Sequence, residues 1–288
     1  MEKPRLLVTG GSGYLGGWVV RLARAGWDVT ATYLSHPVDG MGVSWRCLDV
    51  RDRSAVAVLV EEIHPAVIVH TAAMNPGLGR DFRATNIAGS YHVARAAAQW
   101  DARLIHVSTD ALFNGEKGNY VEEDPPSPIT PYGRSKARGE EMVEQSEAEA
   151  VIVRTSLIYG WRPEPGRHTR WMLDRLAAGE PVRLFTDERR CPIWVESLAA
   201  ALVELAGADV VGRLHVAGAQ ALDRSAFGQR LLRFQGVDLA PLVPTLSRES
   251  GLNRPLDCSL DISRAQALLA TPLPGVDEVL TRHSPQPA

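Results

Sequence analysis

Two residues of this chain have the types and the spacing that proton transfer requires. Tyr132 and Lys136 are four positions apart in a segment predicted to be helical to about Gln145, so their side chains share one helix face. A lysine ammonium beside a phenol favours the phenolate, which predicts that the pKa of Tyr132 falls from about 10 towards neutrality. Thr109 ends a predicted strand upstream, and its hydroxyl can hold a substrate oxygen. We predict Thr109, Tyr132 and Lys136 as catalytic residues for the reduction of a carbonyl group.

A nicotinamide cofactor would supply the hydride for such a reduction, and the N-terminus carries the pattern of its binding site. Residues 9–17 read Thr-Gly-Gly-Ser-Gly-Tyr-Leu-Gly-Gly, between a short apolar run and a predicted helix. Glycines at this spacing allow a tight turn and a close approach to a pyrophosphate at the helix N-terminus. Either pattern alone occurs by chance, as a solvated helix face or an ordinary loop, but together they predict an enzyme. The predicted cofactor-binding residues of the loop are Gly10, Ser12, Gly13, Tyr14, Leu15 and Gly16.

The end of the second predicted strand bears on the choice between NADP and NAD. Tyr33 stands where an acidic residue would bind the free 2′-hydroxyl of NAD, and no carboxylate follows until Asp39. This favours NADP, and NAD is the alternative because no arginine accompanies Tyr33. Asp49 is predicted to accept from the adenine amino group. The other predicted cofactor contacts are Val50, Thr71, Ala72 and Ala73.

The predicted elements alternate between short apolar strands and helices, which indicates an α/β fold with a doubly wound parallel sheet (a Rossmann fold). One of these strands, residues 66–70, is a continuous apolar run, as expected of a strand covered on both faces. We predict a nucleotide-binding domain over residues 1–156 and a mixed substrate-binding region over 157–288. A segment near 212–218 is predicted to return to the main sheet.

Composition limits the partners and the compartment. The 288 residues carry a net charge of −3, which argues against nucleic acid as a main partner. No apolar run approaches the ~20 residues of a membrane span, and no signal peptide is visible. Three distant cysteines suggest reduced thiols and a cytoplasmic protein. The histidines have no metal-ligand spacing, so no metal site is predicted.

The motifs resemble those of the extended short-chain dehydrogenase/reductase superfamily, and within it the dTDP-4-dehydrorhamnose reductase group. The likeness to that group rests on residues 107–115, Val-Ser-Thr-Asp-Ala-Leu-Phe-Asn-Gly, on residues 131–136, Pro-Tyr-Gly-Arg-Ser-Lys, and on residues 154–160, Arg-Thr-Ser-Leu-Ile-Tyr-Gly. It implies NAD(P)H-dependent reduction of a keto group on a nucleotide-linked sugar, with Thr109, Tyr132 and Lys136 as the catalytic set. It also implies substrate contacts from Thr109 and Asp110, diphosphate contacts from Arg190 and Arg254, and a possible homodimer.

Two segments depart from that group. Residues 74–81 replace a Val-Asp-x-Ala-Glu segment after the alanine turn, and Arg167-His168 replaces an Asn-Phe pair before a helix. Both places lie near the substrate in the family, so the identity of the sugar stays open. Two alternative functions are an epimerase or dehydratase of the same superfamily and a non-catalytic, NADP-binding regulatory subunit. Ala111 after Asp110 argues against a dehydratase, since those enzymes usually carry an acidic pair there.

Overall fold

The structure is a computed structural model, and it describes residues 2–38, 40–77 and 81–283. Asp39, part of the segment 74–81 and the polar tail beyond His283 lie outside the described residues. The strands are β1 Arg5–Thr9, β2 Asp28–Tyr33, β3 Ser44–Cys47, β4 Val67–His70, β5 Arg103–Thr109, β6 Ala150–Thr155, β7 Ile158–Tyr159, β8 Val182–Phe185, β9 Arg189–Arg190, β10 Ile193–Trp194, β11 Gly212–His215, β12 Leu222–Asp223 and β13 Leu242–Thr245. The α-helices are α1 Tyr14–Ala23, α2 Arg53–Ile63, α3 Ser90–Gln99, α4 Pro131–Glu144, α5 Arg167–Ala177, α6 Val195–Ala206, α7 Arg224–Phe234, α8 Ser263–Leu268 and α9 Val276–Arg282.

Seven strands form one parallel sheet in the order β11-β6-β5-β4-β1-β2-β3. The predicted doubly wound sheet is confirmed. Its central strands are mostly apolar because helices cover both faces, and all four residues of β4 are buried. β11 pairs with β6 at one edge of the sheet. The division at residue 156 stays a prediction.

Each face of the sheet has its own hydrophobic core. On one face α1 and α6 pack against each other over a cluster that includes Val19, Val20 and Leu202. On the other face the helices α2, α3 and α4 form a layer over a cluster that includes Leu59 and Val93. A third cluster of aromatic and aliphatic residues holds the C-terminal elements together. These elements include α5, α7 and the short pair of β8 and β13.

Local sequence accounts for the ends of several elements. Asp52 caps α2, since its carboxylate accepts from the backbone N–H groups of Ser54 and Ala55. A π-helical segment, Arg83–Gly89, leads directly into α3. Because the strands are parallel and in register, β1, β4 and β5 end at the same edge of the sheet, and His70 pairs with both Thr9 and His106. The glycine loop, Thr71 and Thr109 therefore lie along one edge.

Candidate active site

The loop after β1 requires glycine at two of its predicted positions. Gly10 has a φ of +74°, and a Cβ there would clash with the backbone of Ala72. A Cβ on Gly16 would clash with the carbonyl group of Gly10. The loop is further fixed by hydrogen bonds to β2, from Gly10 N–H to Thr32 Oγ1 at 3.1 Å and from Ser12 N–H to the Thr32 carbonyl at 3.2 Å.

The first turn of α1 offers backbone donors to an anion. Its N-cap is Gly13, which has no side chain to satisfy the open N–H groups. The Leu15 side chain belongs to the core, and Ser12 is exposed. Backbone groups and a glycine cradle are what a pyrophosphate needs, so these residues fit the pyrophosphate of a dinucleotide.

Tyr14, also predicted to contact the cofactor, turns its ring towards the C-terminal elements. The ring lies against Gly160 and Gly166, and among the described residues the buried hydroxyl has no hydrogen-bond partner. Burial, together with the charges of Glu196 and Glu164, raises the pKa of Tyr14. Its placement links α1 to the turn that precedes α5.

At the adenosine end, the side chain of Asp49 has a partner that the sequence did not suggest. Arg51 donates to both carboxylate oxygens of Asp49, from Nε at 2.9 Å and from Nη2 at 2.6 Å. These hydrogen bonds lower the pKa of Asp49. Tyr33 is half-buried at the end of β2, and Val50 is buried against Gly89. The adenine contact of Asp49 stays a prediction, and it now competes with Arg51.

The residues after β4 line the glycine loop. Thr71 Oγ1 donates to the Thr9 carbonyl at 2.8 Å, Ala72 faces Gly10, and Ala73 follows half-buried. The next residue, Met74, is held by buried Asn86, whose amide pairs with the Met74 backbone at 2.8 and 3.0 Å. Asn86 thereby fixes the path of the chain where it leaves the glycine loop after Ala73.

The helix that carries Tyr132 and Lys136 begins against the end of β5. Thr130 caps α4 by accepting from Gly133 N–H at 3.0 Å, and Pro131 occupies the first helical position. A Cβ on Gly133 would clash with the carbonyl oxygen of Ala111. Asn86 Nδ2 also donates to Ser135 Oγ at 3.0 Å. α4 is therefore anchored both to the residues after β5 and to those after β4.

Tyr132 and Thr109 are brought together, but the pKa of the phenol moves in the direction opposite to the prediction. Burial raises the pKa of Tyr132 to about 12, and the Asp110 charge adds to the rise. A hydrogen bond with the Thr109 side chain and the Arg167 charge act in the opposite direction but are weaker than burial. The lowering expected from Lys136 is absent because its ammonium is directed elsewhere. Phe82 packs edge-on against the Tyr132 ring at 5.9 Å. The phenol therefore stays protonated at neutral pH.

Lys136 is 3% exposed and donates from Nζ to the Val107 carbonyl at 2.8 Å. Burial lowers the pKa of Lys136 to about 8, while the Glu140 carboxylate raises it. Burial lowers the pKa values of two histidines, His70 and His106, and the charge of Lys136 lowers them further. Lys136 thus places a buried positive charge at this edge of the sheet.

A buried polar network that sequence reasoning missed continues along the same helix face. Glu140, four residues after Lys136, accepts from Ser108 Oγ and from Arg154 Nη2 at 2.8 Å, and the Glu140 and Arg154 side chains are 2% and 0% exposed. The spacing of Tyr132, Lys136 and Glu140 is the signal that would have found it. The network ties α4 to β5 next to Thr109 and to β6.

Asp110 and Arg190, both predicted to contact substrate, are buried and engaged with protein groups. Asp110 accepts from Ser156 Oγ at 2.6 Å and lies 3.6 Å from Arg190 Nε. Arg190 donates to the carbonyls of Leu256 and Pro255, both at 3.0 Å. Burial raises the pKa of Asp110, while the Arg190 charge lowers it. The two residues hold the chain around the site, and their predicted substrate contacts stay untested.

Arg254, the fourth predicted substrate residue, lies in a cavity of about 310 Å³ with other cationic and aromatic side chains. We call it the arginine pocket; it is lined by His168, Trp171, Arg183, Leu184, Phe185, Arg224, Leu252 and Arg254. Arg254 pairs with the buried carboxylate of Glu188 and lies over the Phe185 ring. Three guanidinium groups beside aromatic rings suit a diphosphate and a base. Sequence reasoning named Arg254 but missed Arg183 and Arg224, which come from separate elements.

The two segments that depart from the dTDP-4-dehydrorhamnose reductase group meet in space. Arg167, at the start of α5, donates to the carbonyl of Pro76 and lies against Gly77.

Within residues 2–38, 40–77 and 81–283, no group of three or more His, Cys, Asp or Glu side chains has a geometry that would hold a metal ion. Over the same part of the chain no helix is both long and apolar enough to span a bilayer.

Comparison with known proteins decides the family. The family described as RmlD substrate binding domain matches residues 4–284. The chain belongs to this family. The predicted superfamily resemblance is thereby confirmed.

Several relatives in the RmlD family match along most of this chain. A probable low-salt glycan biosynthesis reductase of Haloferax volcanii is 32% identical over 287 residues, covering 95% of both chains. The dTDP-4-dehydrorhamnose reductase of Mycobacterium tuberculosis is 34% identical over 286 residues, covering 93% of this chain and 88% of that one. The structure of the dTDP-4-dehydrorhamnose reductase of Bacillus anthracis in complex with NADP has a TM-score of 0.83, with 27% identity and coverage of 97% and 98%.

Proposed function

We propose that this protein is an NADPH-dependent reductase of a keto group on a nucleotide-linked sugar, similar to dTDP-4-dehydrorhamnose reductases. The observation that carries the proposal is the meeting of Thr109 and Tyr132 at the sheet edge that also bears the glycine loop, with Lys136 buried beside them. Relatives named as reductases over nearly the full chain support the reaction. The NADP in the Bacillus anthracis structure supports the cofactor.

The cofactor would lie along the glycine loop. Gly10, Gly13 and Gly16 allow the tight packing of the loop that presents backbone N–H groups to a pyrophosphate, and Thr71, Ala72 and Ala73 border the loop on the side of β4. When bound, NADPH supplies the hydride. Tyr33 in place of an acidic residue leaves room for a 2′-phosphate, which favours NADP over NAD.

Tyr132 is the proposed proton donor to the carbonyl oxygen. Its raised pKa keeps the phenol protonated in the physiological range, as reduction requires. Thr109 Oγ1 accepts from Ala111 N–H at 3.2 Å, which fixes the hydroxyl for orienting the carbonyl. Lys136 does not lower the pKa of Tyr132 in this structure, and its proposed role is to hold the nicotinamide ribose of the bound cofactor beside the phenol.

The substrate diphosphate is proposed to lie in the arginine pocket. Arg183, Arg224 and Arg254 supply more positive charge than Glu188 balances, and Trp171 and Phe185 provide rings for a base. Arg190 belongs beneath this site as a support, because its guanidinium donates to the backbone of residues 255–256.

The test is the oxidation of NADPH, followed by its absorbance, in the presence of dTDP-4-dehydrorhamnose, with the product identified by mass spectrometry. We expect one NADPH consumed for each keto sugar reduced. Conversion of the sugar without net NADPH consumption would indicate the epimerase alternative. Binding of NADPH without turnover of any keto sugar would indicate the regulatory subunit.

A cytoplasmic location and a homodimer complete the proposal. Cys47, Cys191 and Cys258 are all free thiols, as expected in a reducing compartment that also supplies NADPH. Dimerisation rests on family analogy alone. Analytical ultracentrifugation would test it, and a monomer at micromolar concentration would contradict it.

A further inference from the structure

His168 lines the arginine pocket, and its ring lies nearly parallel to two aromatic rings. The ring stacks on Trp171 at 5.8 Å with an interplanar angle of 18°, and on Phe227 at 5.8 Å with an angle of 9°. These two neighbours restrict the plane of the ring, and the Arg224 contact at Nδ1 sets the direction of its two nitrogens.

The hydrogen bond at one nitrogen decides the tautomer. Arg224 Nη2 lies 3.0 Å from His168 Nδ1, and a guanidinium can only donate. Nδ1 must therefore be the acceptor, which places the proton of the neutral ring on Nε2. Burial, followed by the charges of Arg224 and Arg254, lowers the pKa of His168 well below its usual range, so the ring is neutral.

The resulting Nε2–H donor is buried and has no hydrogen-bond partner among the residues that the structure describes. A buried donor without a partner costs free energy, which a ligand oxygen would recover.

The position of His168 indicates which part of a substrate it would meet. Its neighbour Arg167 acts electrostatically on Tyr132 and contacts Pro76, whereas His168 contacts Arg224 in the arginine pocket. The first turn of α5 therefore lies between the proton donor and the proposed diphosphate site. A sugar that joins these two points passes this turn.

We infer that His168 is a specificity residue whose Nε2–H donates a hydrogen bond to an oxygen of the substrate sugar. The inference rests on the proposed function. It selects nucleotide sugars that carry an acceptor oxygen at this position over analogues that lack it. Arg224 is the positioning residue, since it fixes the tautomer.

Calorimetric titration of dTDP and of dTDP-rhamnose into the protein tests the inference. His168→Phe keeps an aromatic ring at this position but removes the Nε2–H donor, and it also removes the acceptor of Arg224 in the diphosphate site. We therefore expect the variant to lose about five- to twentyfold more affinity for dTDP-rhamnose than for dTDP. The matched control is Arg170→Gln, on the same helix but exposed, which should change neither affinity.

An equal loss for both ligands would assign His168 to the diphosphate, and no loss for either would remove its role; each result overturns the inference. Failure of the wild type to bind either ligand would overturn the proposed function and this inference with it. Nitrogen NMR of the unmodified protein provides a second measurement that needs no variant. We expect the Nε2–H tautomer, with an Nε2 shift on addition of dTDP-rhamnose but not of dTDP, and an Nδ1–H tautomer would contradict the inference.

Discussion

The charges around Lys136 and those of the arginine pocket are balanced in different ways. Beside Lys136, the buried Glu140 and Arg154 side chains pair at 2.8 Å and further hydrogen bonds surround them. Of the three arginines that line the arginine pocket, Arg254 pairs with Glu188, whereas Arg183 and Arg224 form no ion pair in the described part of the chain. Matched charges hold a geometry, whereas an excess of one sign attracts a ligand of the other sign. The first region thus holds a fixed geometry, and the second suits an anionic ligand, which is why we propose it for the substrate diphosphate.

The largest effect should come from the phenol that the balanced region positions. Replacing Tyr132 by Phe should lower kcat about 1,000-fold, since a general acid contributes about 100- to 10,000-fold, while leaving the Kd for NADPH nearly unchanged. Tyr91→Phe, at an exposed position on α3, is the control. Full activity of the Tyr132 variant in a steady-state assay would remove the assigned proton donor.

Breaking the balance itself should cost stability. Glu140→Gln leaves the Arg154 charge buried without its partner, and we expect a loss of about 3–5 kcal/mol in the free energy of unfolding in urea. Glu141→Gln, which removes an exposed pair with Arg138 on the same helix, should cost less than about 0.5 kcal/mol. Equal losses in the two variants would show that the buried network has no special role.

Removing an unbalanced charge should instead affect binding. Arg183 is exposed, and in the described part of the chain it forms no ion pair. Arg183→Gln should weaken dTDP binding about tenfold by calorimetry, with an unchanged free energy of unfolding. A stability loss without a change in affinity would place Arg183 with the structural charges.

The pH dependence should report Lys136. Since burial lowers its pKa to about 8, the ammonium loses its proton above that pH, and kcat/KM for the keto sugar should fall as pH rises through 8. Glu140 raises this pKa, so Glu140→Gln should move the alkaline limb to lower pH. A limb that stays in place in the variant would separate Glu140 from the catalytic charge.

The smallest effect should come from Tyr33 at the end of β2, in the predicted cofactor-binding region and apart from both charged regions. Tyr33→Asp places a carboxylate at the end of β2, where it would repel a 2′-phosphate and accept from a free 2′-hydroxyl. The ratio of Kd values for NADPH and NADH, from quenching of tryptophan fluorescence, should shift several-fold towards NADH. An unchanged ratio would place the adenosine ribose away from Tyr33.

The sheet and the shared face of Tyr132 and Lys136 were predictable because strand patterns and a four-residue spacing are local properties. The direction of the Tyr132 pKa was not, because it depends on burial and on Lys136 turning to the Val107 carbonyl. The partners of the Arg190 guanidinium could not be predicted from the sequence either, since the carbonyl groups that accept from it lie 65 and 66 residues away.

The arginine pocket shows the same limit. Arg183, Arg224 and Arg254 come from β8, α7 and the loop before α8, and only the packing of these elements brings them together. Glu140 has a readable spacing from Lys136, yet its pairing with Arg154 depends on how α4 packs on β6. Sequence patterns predicted the elements and the chemistry, while the distribution of charge required the structure.

The most direct test of the account is a crystal structure of the complex with NADP and dTDP-rhamnose, measuring the distance from Tyr132 Oη to the sugar oxygen at the reacting carbon. We predict a hydrogen bond of about 3 Å there, with the diphosphate between Arg183, Arg224 and Arg254. A diphosphate bound outside the arginine pocket, or a sugar oxygen beyond the reach of Tyr132, would contradict the account.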